Sequence, residues 1–169
     1  GLLQVQTDTG YGQMALFAQS NQLTYDTQSP RDGKRTNTGL AYSHAFDMAL
    51  NPSFYMSVYR GAETVENVTA KYLNQDFSGL RLGGGLKFQE NISLNMQLSH
   101  EKREHNDGLY PLFSLAREDK ENSANFNANW RINKHLSLIP SYTYSNNQSN
   151  IPFSDYNRHI VSVDLRCDL

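Results

Sequence analysis

The residues with the greatest chemical potential in this chain are its histidines and the serines beside them. Two pairs are adjacent in sequence, Ser43-His44 and Ser99-His100. Adjacent residues on an extended strand point to opposite faces, so neither pair forms a hydrogen-bonded nucleophile–base couple unless a bulge intervenes. His105 falls in a charged loop, His135 at a tight turn and His159 near the start of the last apolar run. His100 and His105 with Glu101 and Glu104 lack a metal-ligand spacing. Gly83-Gly84-Gly85 lies inside a strand pattern rather than before a helix, so it is no phosphate-cradling loop. The single cysteine, Cys167, excludes an internal disulfide and a cysteine-based zinc site. These residues predict no enzyme, no cofactor and no resident metal. A Ser–His couple across neighbouring strands, as in a lipid-modifying enzyme, is the disfavoured alternative.

The elements that carry these residues follow a period of two. From His159 the odd positions read His159, Val161, Val163, Leu165, Cys167 and Leu169, and the even ones Ile160, Ser162, Asp164, Arg166 and Asp168. A strand presents these two sets on opposite faces. Leu136, Leu138, Pro140, Tyr142 and Tyr144 repeat the arrangement, as do Ala124, Phe126, Ala128 and Trp130, and Ile92, Leu94, Met96 and Leu98. Leu80, Leu82, Leu86 and Phe88 oppose Arg81 and Lys87, with Gly79 and Gly83 to Gly85 easing close approach or curvature. Fainter runs occur at 54–58, 40–46 and 14–18, and Leu3 and Val5 end a further one. Tight links at Asp47–Pro52, Gln89–Asn91 and Asn133–His135 alternate with long polar links at 26–37, 61–76, 103–120 and 146–155. The pattern predicts one all-β domain over residues 1–169. Its fold class is an antiparallel up-and-down transmembrane β-barrel of about eight strands, nine with the opening segment. Whether it is a complete barrel or a segment of a larger one stays open at this point.

Composition agrees. Hydrophobic residues make up only 38% of the 169, as expected when apolar side chains occupy one face. Aromatics at 11% and a net charge of −2 disfavour disorder and a nucleic-acid binder. No stretch is long and apolar enough for a membrane helix, although a barrel strand needs only about ten residues. Gly1 to Val5 has no basic start or apolar core, so the sequence reads as a mature form or a piece of something longer. Alternation alone does not say which face is inside. The polar face is rich in Asn, Ser and Gln rather than Lys and Glu, which favours a membrane barrel over a soluble one. On that reading Arg81, Lys87, Arg131, Asp164 and Arg166 line the lumen. Leu94, Met96, Leu98, Phe126, Val161, Val163 and Leu165 face lipid. Arg31, Lys34, Arg35, Lys102, Arg103, Arg117 and Lys120 are candidates to meet lipopolysaccharide phosphates. Phe46, Phe54, Phe88 and Trp130, with Tyr25, Tyr59, Tyr144 and Tyr156 at the other end, are candidates for two interfacial belts.

The last strand resembles the C-terminal assembly signal of bacterial outer-membrane proteins, through Val161, Val163, Leu165, Cys167 and Leu169. Leu169 departs from the usual terminal Phe, and Cys167 stands where an aromatic is common. The resemblance implies recognition by the barrel assembly machinery and a place in the bacterial outer membrane. A more particular likeness covers Pro140-Ser-Tyr-Thr-Tyr-Ser145, Asn147, Ser149-Asn-Ile-Pro-Phe153, Asp155-Tyr-Asn-Arg-His159 and Val161. This hairpin is similar to the closing hairpin of the surface lipoprotein assembly modifiers, barrels attached to tetratricopeptide regions. The likeness implies a transport or translocation role with an exported protein as partner. The alternative is a small closed barrel that presents loops for structure or surface recognition.

Overall fold

A computed structural model describes residues 1–27 and 29–168. Nine strands run in sequence order through one sheet: β1 (Leu2–Asp8), β2 (Gln13–Leu23), β3 (Gly33–Ala45), β4 (Ser53–Val65), β5 (Gln75–Gln89), β6 (Ile92–Glu104), β7 (Glu118–Arg131), β8 (Leu136–Ser149) and β9 (Tyr156–Cys167). Each pairs antiparallel with the next. The opening segment forms a strand of its own, which makes the number nine. Two short 3-10 segments, Ser29–Arg31 and Val68–Leu73, lie in the links. None of the described helices is long and apolar enough to cross a membrane.

The register joins the alternating faces of separate strands into two continuous surfaces. Gly84, Met96, Phe126, Tyr142 and Val161 stand side by side across β5 to β9. Leu40, Val58 and Leu80 continue a parallel row on the same face. A slip of one residue in any ladder would mix apolar and polar side chains on both faces, so the alternation itself specifies the pairing. Two local departures have local causes. The β5–β6 ladder shifts by one between Lys87 and Gln89, a bulge that leaves Phe88 unpaired. The β7–β8 ladder skips Ala128 and Asn129 where Pro140, which has no N–H, breaks the run of donors.

The sheet is curled toward its polar face. Arg35 on β3 reaches Glu101 on β6 at 3.4 Å, although a flat sheet would hold those strands about 14 Å apart. Tyr59 on β4 donates to Glu101 across the intervening strand at 2.8 Å. Close approach at β5 depends on glycine: a Cβ on Gly79 would lie 2.4 Å from the Tyr59 ring, and one on Gly83 2.2 Å from Tyr55. The two rings thus lie flat over the backbone opposite them, and the concave side stays shallow enough to bend.

Among the described residues β1 and β9 are both unpaired edges, so the sheet is the curled wall of a barrel rather than a closed cylinder. With nine strands alternating in direction these edges run the same way, so a direct seam would be parallel rather than antiparallel. The long links are also shorter than the sequence pattern implied, spanning 24–32, 66–74, 105–117 and 150–155. The strands continue past the apolar zone with polar residues on both faces, as at Lys34–Asn37 and Lys102–Glu104. The ladder persists there after the alternation has disappeared.

Candidate functional site on the concave face

The concave face carries an ordered polar network, densest toward the long loops. Glu101 is its centre. Its carboxylate accepts from Tyr59 Oη at 2.8 Å, Arg103 Nε at 2.6 Å and Arg35 Nη2 at 3.4 Å. Arg35 also meets Glu63 at 3.3 Å, and Arg103 donates to Glu121 on β7. The guanidinium of Arg35 lies 4.0 Å from the centre of the Phe77 ring, and that of Arg81 4.5 Å from that of Tyr59. The network therefore alternates charge across β3 to β7, and no member holds an isolated buried charge. Toward the middle the face turns to amides and hydroxyls, with Ser99 bonded to Ser123, Asn125 to Thr143 and Ser141 to Ser162.

Above the network the long loops fold into a small cap. Tyr59, Ala70, Phe77 and Ile151, the buried apolar residues among those described, all lie at this end. Tyr72 and Tyr110 meet edge to face, and Asn74 donates to Asp107, tying the 66–74 link to the 105–117 link. The hairpin residues that carry the family likeness serve this cap. Asn147 donates to Ser154 O at 2.9 Å, the Asp155 carboxylate accepts from Ser149 N, and Ile151 is fully buried. His105 is buried as well, with Nε2 3.8 Å from the Asp119 carboxylate, beyond hydrogen-bond distance.

The predicted site residues fall as follows. Arg81, Lys87, Arg131, Asp164 and Arg166 share the concave parity of their strands but do not form one cluster. Arg81 sits at mid-height beside Tyr59. Lys87, Arg131 and Arg166 line one cavity of about 300 Å³ at the short-turn end, where Arg166 also meets Asp168 at 2.9 Å. Asp164 is one row further in, opposite Ile139. Leu94, Met96, Leu98, Phe126, Val161, Val163 and Leu165 occupy the convex face, all but Leu94 strongly exposed. Cys167 ends β9 on the same face, and Leu169 lies outside the described residues.

Several sequence expectations change. Arg35 and Arg103 are turned into the concave network by their odd parity, away from the convex face. Arg117 is held by Asp119 at 2.8 Å. Lys34, Lys102 and Lys120 do lie on the convex face. Tyr59 and Tyr156 are concave rather than members of an interfacial belt, whereas Phe54 and Trp130 are convex and exposed. Ser99 and His100 point to opposite faces and bond separately, to Ser123 and Asn122. Glu101 and Glu104 are likewise on opposite faces.

An antiparallel meander with an apolar convex side and a bridged, polar concave side defines the wall of an up-and-down β-barrel with a polar interior. The model of one family, the surface lipoprotein assembly modifiers, matches residues 9–167, and the chain belongs to that family. No curated protein and no solved structure matches it.

Proposed function

We propose that this chain forms part of an outer-membrane barrel that moves or assembles surface lipoproteins along its concave face, without catalysing a covalent step. The observation that carries this reading is the division of the curled sheet. A continuous apolar surface on the outside suits the bilayer and its outer lipid, lipopolysaccharide included. The amide- and hydroxyl-rich inside offers a polypeptide exchangeable hydrogen bonds without a deep trap. The two unpaired edges favour a wall within a larger barrel over a small closed one. On this reading β9 presents Val161, Val163, Leu165 and Cys167 to the assembly machinery.

Photo-crosslinking in cells tests the path. A photoreactive residue at concave Gln97 or Asn125 of the full-length protein should capture lipoprotein in transit, and one at convex Met96 should not. Capture from Met96 alone, or from none of the three while the lipoprotein still reaches the surface, would refute the path.

A further inference from the structure

The convex face does not stay apolar to its end. One row beyond Leu40, Val58, Leu80 and His100, the ladder aligns Thr38, Arg60, Ser78, Lys102 and Lys120 on adjacent strands. Three cations and two hydroxyls thus form a line from β3 to β7, and its charged part, β4 to β7, covers about 14 Å. Arg60 and Lys120 are exposed and make no hydrogen bond or ion pair among the described residues. Lys102 pairs with Glu104, which occupies one of its three N–H donors. One row further out stand Asp76, Glu104 and Glu118. A groove of about 650 Å³ opens at this level, lined by Thr38, Arg60, Asp76, Ser78, Lys102 and Glu104.

We infer that this row is a binding site for a glycolipid headgroup bearing more than one phosphate, with its acyl chains lying on Val58, Leu80 and Leu82. The inference rests on the proposal that the convex face meets the bilayer, and assigns that face's rim a specific ligand. Charge complementarity selects the ligand. The cations are spread too widely for a single phosphate, and the hydroxyls of Ser78, between Arg60 and Lys102, and of Thr38, beside Arg60, suit a sugar. The carboxylate row repels an anion from above and the apolar belt excludes it from below, so phosphate is confined to the level of Arg60 and Lys102. Each Lys or Arg near an anionic lipid surface strengthens binding about fivefold.

The test uses the full-length protein in mild detergent, loaded with bis-phosphorylated lipid A and read by native mass spectrometry after washing. The wild type should retain lipid A, and the triple variant Arg60→Ser, Lys102→Ser, Lys120→Ser should bind about a hundredfold more weakly. Lys134→Ser, at the opposite end of the sheet, should retain lipid A as the wild type does. Excess inorganic phosphate should not displace it, and phosphatidylglycerol should be held more weakly. Heat-dependent gel mobility confirms that each variant is folded. Equal retention by the triple variant and the wild type would overturn the site. Equal retention of phosphatidylglycerol would overturn the multiply phosphorylated ligand, and displacement by phosphate would show anion binding without a lipid. Failure of the wild type to insert into vesicles would refute the membrane reading, whereas normal insertion with unaltered lipid A retention in the triple variant sinks this inference alone.

Discussion

Met96→Arg is the sharpest test of which face meets lipid. On β6 the outward positions run from Ile92 to His100, eight residues apart, or about 26 Å along the strand at about 3.3 Å per residue. A strand tilt of about 40° leaves roughly 20 Å of height, close to the apolar band of membrane barrels. Met96 stands halfway, flanked by Gly84 and Phe126, and is itself half exposed to whatever surrounds the sheet. A guanidinium there should cost about 2–4 kcal/mol, whereas Asn122→Arg at the rim should cost about 0–1 kcal/mol. The assay is urea unfolding of the full-length protein in vesicles. Trp130, the one tryptophan of this chain, reports by fluorescence from the far end of the same face. In water, a Met-to-Arg exchange on an exposed surface would change stability by only about 0.5 kcal/mol. A loss that small at position 96, or equal losses at 96 and 122, would refute a lipid-facing convex side.

Two further outcomes follow from the concave face. Gly79→Leu should destabilise by about 1–3 kcal/mol, because its Cβ must displace the Tyr59 ring and with it the bond to Glu101; Tyr59→Ala in the same chain should recover part of the loss, and strict additivity in unfolding titrations would show that the ring is not the obstacle. Arg131→Glu or Arg166→Glu in the full-length protein should shift ion preference in planar bilayers toward cations, since both residues line the short-turn cavity; unchanged selectivity in both would mean that this cavity does not border an aqueous path.

What could be read from the sequence was whatever repeats every second residue. Leu94, Met96 and Leu98 against Ser93, Asn95 and Gln97 fixed β6 and its two faces, and the register then followed from matching such sets. The charged ends of strands escaped that reading, because Lys102, Arg103, Lys120 and Glu121 alternate in position but not in polarity. Counting parity outward from Met56 and Val58 would have placed Arg60 on the apolar side, and counting from Ser99 would have placed Arg103 opposite it. The loop cap had no such signal. Ile151, Ala70 and the pairing of Tyr72 with Tyr110 depend on which links meet in space, and that follows from strand order and curl rather than from local pattern.

The matched direction of the two edge strands restricts what can complete the wall. A hairpin contributes two strands and leaves the parity unchanged, so no hairpin alone can join β9 back to β1 through antiparallel pairs. Nor can a second copy inserted in the same orientation, since β9 of one copy would meet β1 or β9 of the other pointing the same way. A ring of copies fails for the same reason at every junction. An entirely antiparallel closure therefore requires an odd number of further strands, and copies associating in one orientation would meet through parallel seams.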